Sequence, residues 1–211
     1  MQRARTDEAK DERRLSILMA SLDEFYEKGF AAARMDDIAR RAGLSKAAVY
    51  LYFKNKDALF TELLREISSP KLDYIDAFFG RDLSFEEAMN QFAEFLPTVI
   101  LNSPMPKMLK VMIGESGGHP KLMREFRETV LDRVICAVRT FLERAEARGE
   151  IQLIDADLTA RLILSPMPMN GMWRILFESD AEAQFDVSRM FKIHALYMIR
   201  ALSPSGDLHA S

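Results

Sequence analysis

Residues 29–60 read GFAAARMDDIARRAGLSKAAVYLYFKNKDALF, and the spacing of their apolar positions decides the fold. Met35, Ile38, Ala39 and Ala42 recur at helical intervals and form one apolar stripe. Gly43 follows, where a left-handed residue ends a helix, and Leu44 is the single apolar residue of the turn. Ser45 stands at the start of the next helix, where its hydroxyl can cap free backbone N–H groups. Val49 and Phe53 continue the buried stripe, while Lys46, Ala47, Tyr50 and Tyr52 lie on other faces. Asn55 can cap a third helix, with Asp57 in its first turn, where the helix dipole favours an anion. Helix, tight glycine turn, helix is the helix-turn-helix arrangement, whose second helix enters the DNA major groove.

The stretch resembles the N-terminal domain of the TetR family of bacterial transcription regulators. The resemblance rests on Gly29–Phe30, Ile38–Ala39, the run Ala42–Gly43–Leu44–Ser45–Lys46, Val49–Tyr50, Tyr52–Phe53, Lys56 and Leu59. The preceding ILMASLDEFYEKGF fits the family's first helix, so the likeness spans about residues 11–67. Ala33 and Arg34 stand where the family often has hydroxyl residues, and Ala47 replaces a frequent glycine. The resemblance implies that Tyr52 and Lys56 hold phosphates and that Lys46, Ala47 and Tyr50 lie nearest base edges. Arg34, Met35, Ser45, Leu51 and Lys54 complete the DNA-facing set it implies.

Charge distribution fits that expectation better than net charge does. The whole 211-residue chain carries only −3. Residues 34–56 hold six Lys or Arg against two Asp, while residues 68–211 hold 16 basic and 20 acidic side chains. A basic patch on an acidic body suits a protein that touches DNA at one end. Hydrophobic residues make up 48% of the chain, enough for a substantial core. Cys136 is the only cysteine, which excludes an intramolecular disulfide and a cysteine-based zinc site. Its neighbours Val134, Ile135, Ala137 and Val138 predict a buried, inert thiol. The N-terminus MQRARTDEAKDERR lacks the apolar run of a signal peptide, and no stretch of 18 apolar residues exists. A cytoplasmic protein with no membrane partner is expected.

Taken in order, the chain predicts an all-α protein of about nine helices. Residues 1–7 read as a flexible arm, with Arg3 and Arg5 able to reach a minor groove. The first helix runs from about Lys10 to Lys28, with Leu18, Ser21, Leu22 and Phe25 inward. After the helix-turn-helix, a long helix from Lys56 turns Leu59, Phe60, Leu63, Leu64 and Ile67 inward and is interrupted at Ser68–Ser69–Pro70. The expected domains are 11–67, reading DNA, and 68–202, sensing a ligand and dimerising. Ser84 and Glu87 have the spacing of a capping box. Further helices are expected from Ser84 to about residue 102, Pro106 to Ile113, Pro120 to Arg148, Leu158 to about Phe177 and Asp186 to Leu202. Residues 203–211 read as a polar tail.

Three other groups of residues invite functional readings. The last two helices are apolar on too many sides for a monomer's surface, which predicts a homodimer built on Leu162, Met190, Phe191, His194 and Met198. The chain has 13 methionines, most of them after residue 80. Met adapts to irregular shapes, so Phe92, Phe95, Met108, Met112, Phe126, Met169 and Trp173 are candidate lining for a hydrophobic ligand. Glu115 is the one polar candidate there, because an acid near a helix C-terminus opposes the dipole. No catalytic residue, metal ligand or cofactor is expected: E-x-x-H, G-x-S-x-G and phosphate-binding glycine loops are all missing. The reading is a DNA-binding transcription regulator, most simply a repressor released from double-stranded operator DNA by a small hydrophobic effector. The alternatives are a helical ligand-binding protein or enzyme whose helix-turn-helix is incidental, and an activator that needs no ligand.

Overall fold

The computed structural model describes residues 2–101 and 103–204, with side chains from residue 8 onward except that of residue 100. All regular structure among these residues is helical. The helices are α1 (Gln2–Lys28), α2 (Met35–Arg41), α3 (Lys46–Tyr50), α4 (Lys56–Phe79), α5 (Phe85–Leu101) and α6 (Met105–Glu115). Then come α7, α8 and α9 (Val187–Leu202). α7 joins Pro120–Phe126 to Asp132–Ala147 through a π-helical turn at Arg127–Leu131, and α8 joins Ala156–Leu164 to Pro166–Leu176 at Ser165. Gly29, Gly43 and Gly149 end α1, α2 and α7 with positive φ of 80°, 68° and 74°, a conformation that costs a side-chain-bearing residue more than glycine.

Two compact units emerge. One holds the chain up to Ser69 together with Lys107–Phe126; the other holds Pro70–Pro106 and the chain from Arg127 on. α4 passes from one unit to the other at its proline, and α7 does so at its π turn.

The first unit packs around aromatic rings. Phe25 and Phe60 lie 5.1 and 5.4 Å from Phe30, and all three are buried. Leu18, Leu22, Leu59, Leu63 and Leu64 surround them. Ser21 is buried at no cost in unpaired groups, because its hydroxyl donates to Leu18 O at 2.7 Å. In the second unit α5 is central: α9 and the second half of α8 pack against it. Phe92 on α5 meets Phe78 and Phe79 at 6.1 and 5.1 Å, and Phe79 meets Phe141 at 5.3 Å. The predicted capping box forms, Ser84 N–H donating to Glu87 at 3.0 Å and Glu87 N–H to Ser84 Oγ at 3.3 Å. Asp155 and Asp186 cap α8 and α9 with a single bond each, accepting from Leu158 N–H and Arg189 N–H.

Two expectations about helix extent need correction, and a third lies outside the described residues. Residues 2–7, read as an arm, are the first turns of α1; no Pro or Gly stands there to stop the helix. The tail at residues 205–211 and its tip lie outside the described residues. α4 is not interrupted at Pro70. A proline inside a helix costs about 3 kcal/mol. Leu64, Ile67, Leu72 and Ile75 continue one buried stripe across it, at roughly 1.5–3 kcal/mol for each side chain fully buried. Burial therefore outweighs the lost hydrogen bond, and Ser68 turns its buried hydroxyl onto Leu64 O at 2.6 Å.

Cys136 is exposed, not buried. Val134, Val138, Phe141 and Leu142 form the buried stripe of α7, and position 136 lies two residues from both 134 and 138, on the opposite side of the helix. The thiol lines an open groove of about 400 Å³ with Asp76, Phe79, Arg133, Thr140 and Arg144. Native protein is therefore expected to titrate one thiol with a disulfide reagent, as fast as it does after unfolding; a thiol that reacts only in denaturant would contradict the exposure.

Candidate nucleic-acid interface

α3 has five residues, too few to be stable alone. It is assembled from outside. Gly43 turns the chain, its N–H bonding Arg40 O at 3.1 Å, and Leu44 N–H closes on Ala39 O at 2.9 Å. Ser45 caps α3 by accepting from Ala48 N–H at 3.2 Å. Val49 is fully buried and anchors the helix from below. That anchoring leaves Lys46, Ala47, Tyr50 and Leu51 exposed, with Leu51 at 86%.

α2 is tied to α1 by ionic contacts. Arg41 reaches Glu24 at 3.2 Å and Glu27 at 2.9 Å, and Lys28 reaches Asp37 at 3.2 Å. Glu24 is buried, so its pairing with Arg41 and Lys28 is required by the cost of a buried lone charge. On the outer side Lys46 pairs with Asp36 at 2.8 Å. That hydrogen bond holds the Lys46 ammonium above its ordinary pKa, so it remains a cation throughout the neutral range.

The other expected DNA-facing residues fall in different places. Arg34 is exposed at the N-cap of α2, with no capping bond from its side chain. Lys54 is exposed and Tyr52 half-buried, its ring 6.4 Å from Phe53. Met35 is buried with Ile38 and Ala39 and serves the core instead, as its place in the apolar stripe requires. Lys56 donates to Phe30 O at 2.6 Å and Ala31 O at 2.9 Å, and stands 4.9 Å over the Phe30 ring.

The Glu115 carboxylate is engaged within the chain, its side chain only 12% exposed. One oxygen accepts from Phe30 N–H at 3.0 Å and Ala31 N–H at 3.4 Å, and the other faces His119 Nδ1 at 2.9 Å. Glu115 ends α6 and His119 immediately precedes α7, so the turn between the two helices brings the pair together, and no helical spacing in the sequence announces it. Met108 and Met112 are buried and Phe126 half-buried, all in the first unit with Glu115. Phe92 and Phe95 belong to the second unit's aromatic cluster, 6.4 Å apart. Trp173 donates to Ala183 O at 2.8 Å and its ring lies tilted against Phe177 at 4.6 Å; Met169 is half exposed.

Phe191, expected between subunits, is buried within its own chain and packs with α9 onto α5. His194 lies 3.1 Å from Ile163 O; a carbonyl only accepts, so Nε2 carries the proton. Met190 and Met198 are half-buried. Leu162, also expected between subunits, is exposed, as are Leu158, Met172 and Leu176 on α8 and Leu196 and Tyr197 on α9. No cluster of potential metal ligands occurs among the described residues, and no helix among them is long and apolar enough to cross a membrane.

Comparison with known proteins matches two stretches of the chain. Residues 17–63 match the family described as bacterial regulatory proteins, tetR family, and residues 87–191 match the C-terminal domain of AefR-like transcriptional repressors. The HTH-type transcriptional regulator YdeS of Bacillus subtilis is 28% identical over 166 residues, covering 78% of this chain and 79% of its own. Among solved structures, NalD of Pseudomonas aeruginosa, the secondary repressor of the MexAB-OprM multidrug efflux pump, superposes with a TM-score of 0.74 at 19% identity, covering 94% of this chain and 99% of its own. FadR of B. subtilis, solved with stearoyl-CoA, gives 0.71 at 15% identity over 89% and 98% of the two chains.

The capping bond at Ser45 predicts an asymmetric response. Ser45→Ala should cost about 1 kcal/mol of stability in urea unfolding, and Ser45→Gly only a few tenths. Equal losses for the two would mean that the hydroxyl does not cap α3.

Proposed function

Because this chain belongs to the TetR family of transcription regulators, we propose that it is a homodimeric repressor that leaves its operator when a small apolar or amphipathic effector binds. The observation that carries DNA binding is the face of α3: Val49 holds the helix while Lys46, Ala47, Tyr50 and Leu51 stand in solvent. Lys46 and Tyr50 supply the donors that base edges and phosphates need, and Lys54 and Tyr52 follow along the backbone path. Such a protein works in the cytoplasm, where the DNA is.

Dimerisation is supported by the apolar face of α8 and α9. Leu162, Leu176 and Tyr197 are 60%, 65% and 60% exposed, and large apolar side chains left in water on two successive helices favour an association surface. Met169 and Met172 lie on α8 in the same sequence register and join it. Effector binding is assigned to the aromatic interior around Phe92 and Phe95, where stacked rings leave an apolar environment. NalD and FadR, of the same fold, are a pump repressor and an acyl-CoA complex, which favours an effector of apolar chemistry.

The test is in vitro selection of duplexes from random sequence on the full-length chain. The expected product is a two-fold-symmetric site whose half-site centres lie about one helical turn, ~34–36 Å, apart or more. Lys46→Ala should lower affinity for the selected duplex by about 5–150-fold, the range of about 1–3 kcal/mol for a base contact, and relax the sequence preference. Failure to select any duplex would refute the reading.

A separate measurement addresses assembly. Leu162→Glu should yield a monomer in sedimentation and weaken operator binding, since it buries an unpaired charge in the interface. Phe191→Ala should instead lower subunit stability by about 3–5 kcal/mol, because it opens a cavity in the core. The opposite pattern would return the interface to the Phe191 side of α9.

A further inference from the structure

The turn between α1 and α2 is gripped from two sides. It begins at Gly29, whose φ of 80° reverses the chain, and it carries the backbone groups of Phe30 and Ala31 outside any helix. The two N–H groups both point at one carboxylate oxygen of Glu115, the last residue of α6. The two carbonyls both accept from the ammonium of Lys56, the first residue of α4. A helix C-terminus is the least favourable place for a carboxylate, because free carbonyls already make it negative. Four residues on, His119 closes the other side: Nδ1 faces the second carboxylate oxygen at 2.9 Å, and its ring sits edge-on to Phe30 at 4.9 Å. The carboxylate is only 12% exposed, and a Cβ added at Gly29 would reach it at 3.4 Å, so little room separates it from the turn.

We propose that Glu115 is a positioning residue for operator binding: it lies outside the helix-turn-helix, touches no DNA, and sets the reading head by holding the turn from which α2 and α3 extend. α2 begins at Met35, four residues beyond Ala31, and α3 hangs from α2 through the Gly43 turn, so a displacement of residues 30–31 is carried directly to Lys46 and Tyr50. α6 supplies the only carboxylate in contact with these amides among the described residues. Movement of α6 is therefore felt at the reading head through Glu115. This inference rests on the DNA-binding reading above.

Two substitutions separate positioning from charge. Glu115→Gln keeps an acceptor for both amides and loses the charge; Glu115→Ala loses both. If Glu115 mattered only as a negative charge beside DNA, both variants would bind a selected duplex equally well, and more tightly than the wild type. Positioning gives another order: Gln within about threefold of wild type, and Ala weaker by at least about tenfold, as when a donor is left without its acceptor. The salt slope should stay unchanged in Glu115→Ala, because no phosphate contact is lost. Native-state hydrogen exchange on the wild-type chain provides a second reading that needs no variant and no DNA. The Phe30 and Ala31 amides should be protected, and in Glu115→Ala they should exchange faster while core amides such as Leu18 and Ile38 keep their rates. Equal binding by Ala and Gln, a changed salt slope, or unprotected amides in the wild type would each overturn the proposal. A wild-type chain that selects no duplex would overturn the DNA-binding reading and this inference with it.

Discussion

A helix of five residues closes barely one turn and cannot persist in water on its own. Everything around α3 supplies what it lacks. Val49 ties it to the core, Ser45 satisfies a first-turn N–H, and Gly43 allows the reversal that brings α2 alongside. α2, at seven residues, is hardly longer, and it is held in turn by Ile38 and Ala39 and by ion pairs to α1. Stability thus resides in α1 and α4, whose phenylalanine and leucine interior carries two short helices that could not form alone.

The basic character of residues 34–56 is less available than its count suggests. Arg40 and Arg41 are engaged with Asp37 and with Glu24 and Glu27, Lys46 with Asp36, and Lys56 with two carbonyls. These engagements differ in strength. An exposed pair such as Lys46–Asp36 is worth no more than about 1 kcal/mol, so it opens at little cost. Arg41 serves a buried carboxylate and would leave an uncompensated charge behind if it moved. Electrostatics therefore separates cations in exposed pairs, such as Lys46 and Arg40, from Arg41, which a buried carboxylate holds in place.

In the second unit the same economy applies to apolar surface. α5 buries one side against α9 and the later half of α8, through Phe191, Ala195 and Gly171 on the facing helices. That choice determines what remains outside: Leu162, Leu176, Leu196 and Tyr197. A helix that is apolar nearly all round has both an intramolecular and an outward face, and packing assigns each residue to one of them.

The amino-acid sequence by itself determined the all-helical fold, the boundaries set by Gly43, Ser45, Asn55, Ser84 and Asp186, and which face of α3 is left in solvent. These follow from local rules, namely helical period, capping chemistry and positive φ at glycine, and they need only neighbours a few residues apart. Tertiary structure decided the rest. Met35 and Phe191 are apolar residues on amphipathic helices, and period alone does not say whether a stripe meets the core or another surface. Cys136 was misread because apolar neighbours in sequence are not neighbours on a helix face. Pro70 is carried through α4 because burial on both sides outweighs one lost hydrogen bond, a balance visible only once the partners are in place. Glu115 and Phe30 are 85 residues apart, and only the folded first unit brings the carboxylate to the amides of the turn.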